Sequence, residues 1–461
     1  MEKQFTLETR LSLDNNITEY LTNYISRYNQ ICRKMWRVVK LNNFNELYTR
    51  STFNTYVCNE FNVLKRTSNS IYYELVSKKK TLLSLMKTEL ENKKIRLNVL
   101  ETNKLKLVSN INNLKKKVVI NKSSDYELVR YRKYKKKYYY LCNNINKLKQ
   151  NITKLEKNIS DGNVRLSFGG KKIFKAQYNL KANNYKNLTK WKNDYKKKRD
   201  KNIYYLGSKD ESCGNQLVQI GYNEKKDLFS IKIRKEKDYS SNDRYLIIDN
   251  VNFKYMRNEL IEIINGIKTK TNLLPLSYRI YRIKNKWYLQ VIITTIVEQY
   301  ETRKEYGVIG LDFNSGFISM SETNEHGNLV GMKHYPLHHH GCGSKAETEI
   351  LDVISQIVKY AKTVGKDISI EDLKFNITKS KSIKTNNKYS KKYNKMIHTL
   401  DFSRYIFRLE NKCHKLKVSL NKVNPKNTSK IGYEKYSKER KLTIHQAASL
   451  VIARRYQGFI D

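Results

Sequence analysis

Two acidic residues close apolar runs in the last third of the chain. Asp312 follows VIGL within GVIGLDF, and Glu371 follows ISI within DISIEDLKF. A lone acid after a strand usually caps a turn. Here both runs have the length and apolar character of buried strands, so each carboxylate is expected to be held rigidly at a strand end. If those strands are parallel neighbours in one sheet, the two carboxylates can share divalent cations. One ion would activate an attacking water and the other would stabilise the leaving oxygen of a phosphodiester. The expected cofactor is Mg²⁺, as a pair of ions, with Mn²⁺ able to substitute.

The elements needed to position this pair surround it. GVIGLDF and GFISMSE read as strands joined at Asn314-Ser315-Gly316, and NLVGMKHY follows the turn Glu325-His326-Gly327. Residues 345 to 364 are helical in pattern, DISIEDLKF is a strand, and a helix is expected from about 399 to 418. The strand KVSLNKV and a helix from about 442 to 455 end this βββαβαβα order. Three antiparallel strands followed by alternating strand and helix is the order of an RNase H-like nuclease.

Further upstream, QFTLETRLS alternates like a strand and residues 15 to 40 like a helix. Leu83, Met86, Leu90, Lys93, Leu97, Leu100, Lys104, Leu107, Ile111, Leu114 and Val118 mark a heptad seam broken by its two lysines. Leu141, Ile145, Leu148, Ile152, Leu155 and Ile159 mark another. Two heptad helices with a polar connector predict an antiparallel hairpin over about 76 to 160, with an intermolecular coiled coil as the alternative. From 204 to 300 the pattern changes to short strands, LFSIKIRKE, YLIIDNVNF and the pair LSYRIYRI and KWYLQVIITT among them. They predict a small antiparallel β-barrel or wedge, with Lys232, Arg234, Arg279, Arg282 and Lys284 on a basic face.

Charge narrows the function classes. Of 461 residues, 91 are Lys or Arg and 43 Asp or Glu, a formal net charge of +48. An AT-rich coding bias would enrich Lys, Asn, Tyr and Ile, but it would raise Glu as well. The excess therefore points to a polyanionic partner, nucleic acid before an anionic membrane surface. Two stretches interleave cations with aromatics: one begins Arg130-Tyr131-Arg132-Lys133, the other runs from Asn184 to Tyr205 around Trp191. Cations there would neutralise phosphates while aromatic faces stack on unpaired bases; a solvated helix face is the plainer alternative. With 39% hydrophobic residues and only 3 prolines, the chain is too apolar for disorder. No apolar run reaches membrane length, and MEKQFTLETR lacks secretory character, which predicts a soluble cytoplasmic protein. The cysteines form no C-x-x-C pair, so neither a disulfide framework nor a zinc ribbon is expected. His338-His339-His340 with Cys342 is a weak alternative metal site.

GVIGLDFNSGFISMSETNEHGN resembles the first RuvC motif of TnpB proteins, the transposon-encoded RNA-guided nucleases related to type V CRISPR effectors. DISIEDLKF resembles their second motif, and VNPKNTS followed by HQAASLVIARR the segment of the third. FGGKKIF, residues 168 to 174, resembles a block between their helical and wedge regions. The likeness spans the chain in outline and is specific in its last third. It implies a multidomain α+β protein: residues 1–14 and 204–303 as a wedge domain, 15–203 as a helical recognition lobe, and 304–461 as a RuvC nuclease domain.

Two departures matter. The four-cysteine zinc ribbon is absent, which implies a shortened, metal-free connector with no structural zinc. The third motif lacks its usual acid; His445 is the best substitute, as metal ligand or leaving-group partner, although it could instead pack or cap the helix. The resemblance also implies nucleic-acid contacts by Lys171, Lys172, Arg454 and Arg455. It implies a monomer holding a guide RNA and target double-stranded DNA, with catalysis by Asp312, Glu371 and His445. The alternative is a nuclease-deficient, RNA-guided DNA-binding protein acting as a repressor; a strand-transferring transposase is a weaker third.

Overall fold

A computed structural model describes residues 2–41, 44, 48–119, 124–209, 211, 213–236, 244–271, 274–297, 299–314, 316–338, 343–372, 402–437 and 439–460. It is a mixed helix and sheet protein with two compact units: Glu2–Glu91 with Asn146–Thr295, and Asn92–Ile145 with Ile296–Asp461.

The first of these units begins with strand β1 (Glu2–Leu11) and helices α1 (Asn15–Val39) and α2 (Arg50–Phe61). Asp14 caps α1, its carboxylate accepting from the Ile17 amide at 2.7 Å. Two long helices follow, α3 (Lys65–Val119) and α4 (Asp125–Ser160), which extend into the other unit. Lys104 lies over the Tyr138 ring at 5.7 Å, and Lys117 pairs with Glu127 at 2.7 Å. As one helix advances the other retreats, so the pair is an antiparallel hairpin. Leu107, Leu114, Ile145 and Ile152 of the heptad seam are buried.

After short α5 (Lys171–Lys175) and α6 (Leu188–Arg199) come β2 (Asn202–Tyr205), β3 (Val218–Asn223), β4 (Leu228–Arg234) and β5 (Tyr245–Val251). Helix α7 (Arg257–Lys268) interrupts the strands before β6 (Ser277–Ile283) and β7 (Lys286–Ile296). The expectation of strands alone here missed α7. Its Leu260, Ile263, Ile264 and Ile267 are buried at helical spacing. Hydrogen bonds join the strands into two sheets, β1-β7-β6-β2 and β3-β4-β5. One core runs through helices and sheets alike, from Phe5 and Tyr28 to Tyr205, Phe229 and Leu289.

The second unit contains β8 (Val308–Phe313), β9 (Phe317–Thr323), β10 (Leu329–Pro336), α8 (Ser344–Val364), β11 (Asp367–Glu371), α9 (Phe402–Leu416) and β12 (Leu420–Val423). Short α10 (Thr428–Ile431), a π-helical turn (Gly432–Ser437) and α11 (Ile444–Gln457) close it. The sheet order is β10-β9-β8-β11-β12. β8 and β9 are antiparallel, as are β9 and β10, whereas β11 runs parallel to both β8 and β12.

Alternation sorts the two faces of this sheet. Ile309, Leu311, Phe313, Ile368 and Ile370 join a core with α8 and α9. Gly310, Asp312, Ser369 and Glu371 take the other face, against which α11 lies. A Cβ at Gly310 would meet the Ser449 carbonyl oxygen at 2.0 Å, and Ala447, Ala448, Ser449 and Ala453 are fully or almost fully buried. The small residues of HQAASLVIARR thus let helix and strand approach backbone to backbone. Gly310→Ala is expected to cost about 1–3 kcal/mol of stability by overpacking, measurable as a lower denaturant midpoint with unchanged slope.

Candidate active site

β8 and β11 pair with Leu311 opposite Ile370. The next residues, Asp312 and Glu371, therefore stand side by side on the α11 face. Ser319 is the antiparallel partner of Asp312 on β9. Its hydroxyl is buried with no hydrogen-bond partner among the described residues.

Neutral and cationic groups hold the two carboxylates. Asn314 Nδ2 donates to Asp312 Oδ2 at 2.9 Å, and His445 Nδ1 lies 3.0 Å from the same oxygen. The Asp312 side chain is 14% exposed and that of His445 44%. A capping box at Thr443 and Gln446 fixes the start of α11 and so places His445 in its first turn. The Phe317 ring meets His445 edge-on at 5.0 Å. Across the pair, the buried Thr428 hydroxyl donates to Glu371 Oε1.

These contacts raise the proton affinity of both Glu371 and His445. Burial pushes the Glu371 carboxyl up; the Thr428 hydroxyl opposes that, the Asp312 charge adds to it, and the Arg455 charge opposes it. His445 is also raised, chiefly because Asp312 accepts its hydrogen bond, while partial burial pulls the other way. Both shifts stabilise the protonated form in the folded state.

Among the described residues, no group of three or more His, Cys, Asp or Glu side chains could hold a metal ion unaided. The donor set still suits Mg²⁺, which usually keeps several waters and takes one or two carboxylates plus substrate phosphate oxygens. Two adjacent carboxylates, one raised by burial and further by its neighbour's charge, with an unpartnered hydroxyl at Ser319, fit that pattern. The alternative histidine–cysteine metal site falls largely on residues 339–342, outside those described.

The other expected contact residues are distributed elsewhere. Arg454 donates to the Gly327 carbonyl at 2.7 Å and lies over the Phe459 ring at 4.8 Å. Arg455 donates to the carbonyls of Asn424 and Lys426. Both therefore brace the chain around α11. Arg130, Arg132 and Lys133 are exposed on α4, with Arg130 bonded to the Tyr134 hydroxyl at 3.0 Å. Lys171 and Lys172 are exposed on α5. Trp191 departs from its expected base-stacking role: it is 6% exposed, stacks on Tyr195 at 5.2 Å and donates to the Ile173 carbonyl. Its ring is spent on packing α6. Thr428, Asn314 and Ser319 had no assigned role in the sequence. Thr428 and Asn314 lay inside quoted motifs, but their bonds to the acids depend on tertiary placement.

No protein-family model matches the chain, and no curated protein matches it. Among solved structures it is similar to the protein in a cryo-EM structure of a CRISPR-Cas12f ternary complex, with 13% identity, 98% of each chain covered and a TM-score of 0.21. It is also similar to Cas12i1 in an R-loop complex after target DNA cleavage, at 10% identity and a TM-score of 0.24; 87% of this chain and 49% of that one are covered. The Cas12i1-crRNA binary complex gives 10% identity, 87% and 50% coverage and a TM-score of 0.24. The chain thus spans about half the length of Cas12i1. At such TM-scores the likeness decides nothing about function. No helix among the described residues is long and apolar enough to cross a membrane.

Two pH-dependent outcomes follow from the site. Asp312→Asn removes the carboxylate that raises His445, leaving burial to dominate, so the imidazole should titrate below its ordinary value of about 6.5 by NMR. A histidine raised in the fold contributes stability that is complete below its unfolded value and lost as pH rises through its folded one. The stability gap between the native protein and His445→Gln should therefore shrink as pH rises past about 6.5, measured by urea unfolding across pH.

Proposed function

We propose that this protein is an RNA-guided DNA endonuclease whose residues 304–461 form an RNase H-like, RuvC-type nuclease domain, similar to the TnpB nucleases of transposons. The observation that carries the proposal is the placement of Asp312 and Glu371 at one level of two neighbouring parallel strands, on the face covered by α11. The sheet order β10-β9-β8-β11-β12 and the motif resemblance support it. So does the +48 charge, which suits a guide RNA and double-stranded target.

Asp312 and Glu371 would hold the Mg²⁺ ions, with Mn²⁺ as a substitute; when bound, these supply an activated water and charge stabilisation at the leaving oxygen of the phosphodiester. Asn314 fixes the Asp312 carboxylate by its amide, and Thr428 fixes that of Glu371 by its hydroxyl. His445 keeps Nδ1 on Asp312, which leaves Nε2 to face substrate. Its raised proton affinity suits it to carry a proton toward the leaving oxygen. The exposed cations of α4, Arg130, Arg132 and Lys133, would lie along a nucleic-acid backbone. A monomer acting in the prokaryotic cytoplasm completes the proposal, and transposon association belongs to the resemblance.

A second possibility is supported by one observation, histidine where the third acid would stand. It is an RNA-guided DNA-binding protein with a disabled centre, acting as a repressor by occupancy. Plasmid cleavage by the protein with its copurified RNA separates the two. The nuclease is expected to cut in a Mg²⁺-dependent manner. Asp312→Ala and Glu371→Ala should each reduce cutting to background while leaving DNA binding intact, and His445→Ala should lower it about 10–100-fold. Target occupancy with no Mg²⁺-dependent nicking by the native protein would select the repressor.

A further inference from the structure

The unit holding both smaller sheets contains a pocket that the proposed chemistry does not use. Its volume is about 350 Å³, within the usual range for a small-molecule site. Buried Ile25 of α1 and Trp287 of β7 line its base, and Lys196, Lys197, Lys201, Arg282 and Lys284 line its rim.

Very little of this positive charge is spent inside the protein. Asp200, the carboxylate among the lining residues, is already paired with Arg33 and bonded by Ser26 at 3.4 Å. Among the described residues, none of the five rim cations has a carboxylate partner. Arg282 is held instead by neutral groups: Asn285 Oδ1 at 3.0 Å, Thr22 Oγ1 at 3.5 Å, and the Trp287 ring at 5.6 Å. Lys284 and Asn285 both take positive φ, 46° and 62°, the two-residue turn that fixes the β6–β7 hairpin and hence the place of Lys284. Trp287 is 5% exposed, yet its indole N–H has no acceptor among the described residues. A buried donor without an acceptor is costly unless something else accepts from it.

We propose that this pocket binds a single phosphate-bearing nucleotide. The phosphate would sit among the lysines of the rim and Arg282, where guanidinium and ammonium groups are its ordinary partners. The planar base would lie over the Arg282 guanidinium, which rests on Trp287, since guanidinium faces stack on bases. A bare inorganic anion would leave the apolar base of the pocket unused, and a lipid chain would leave the cations unused. The nucleotide is either free or the phosphorylated end of an RNA strand. The pocket needs neither Asp312 nor Glu371, so it stands or falls apart from the nuclease proposal.

Because a +48 chain binds polyanions everywhere, the test compares two charge-matched variants of the full chain. Lys201→Gln with Lys284→Gln alters the rim; Lys225→Gln with Lys226→Gln alters an exposed turn between β3 and β4. Binding is measured by calorimetry for AMP and by fluorescence anisotropy for a short single-stranded RNA with a 5′-phosphate or a 5′-hydroxyl. The rim pair is expected to weaken binding by about tenfold, and the turn pair by less than about twofold. A rim-specific loss with AMP identifies a free nucleotide. A loss seen only with the phosphorylated RNA identifies a strand end. Equal losses in the two variants, or native protein that binds AMP undetectably and ignores the 5′-phosphate, would overturn the proposal.

Discussion

The parallel ladder between β8 and β11 is the constraint on which the site depends. Its register, Leu311 against Ile370, turns Asp312 and Glu371, far apart in the chain, into neighbours. A slip of one residue would send one carboxylate into the apolar core beneath α8 and α9. The ladder is locked from both sides. Ile309, Leu311, Ile368 and Ile370 are buried under α8 and α9, while Gly310 admits α11 on the opposite face. Substituting a larger residue at Gly310 would therefore disturb more than packing, because the same helix carries His445 to Asp312.

Electrostatics then gives the pair its character. Burial first, and then the charge of Asp312 at the same level of the sheet, make Glu371 hold its proton more tightly. The protein offsets this cost only in part, with a hydroxyl at Thr428, an amide at Asn314 and the distant charge of Arg455. Incomplete compensation of this kind is common where a cation or substrate supplies the remainder. His445 reads the same field from the other side and becomes a stronger base. The site is therefore coupled, and Asp312 is the group whose charge raises both Glu371 and His445.

Much of this was legible in the sequence, for reasons that also explain the gaps. Asp312 and Glu371 announced themselves because an acid ending a run such as VIGL or ISI breaks an otherwise apolar pattern. The antiparallel hairpin followed from two heptad seams, and α11 was expected as a helix from about 442 to 455. Helix α7 was missed because its apolar spacing lay among stronger strand signals. Thr428 could not be assigned from sequence, since its bond to Glu371 exists only after β11, β12 and α10 have packed. Trp191, Arg454 and Arg455 were assigned from residue type alone. Aromatics and cations in a basic stretch suggest a ligand surface, yet Trp191 packs on Tyr195 and the two arginines bind backbone carbonyls.

The most direct test is crystallographic. Crystals of the full chain soaked in Mn²⁺ should show anomalous scattering peaks in contact with the carboxylates of both Asp312 and Glu371, and none there in the Asp312→Asn, Glu371→Gln variant. Crystals with fully occupied Mn²⁺ elsewhere, and no peak between these two side chains, would contradict the assignment.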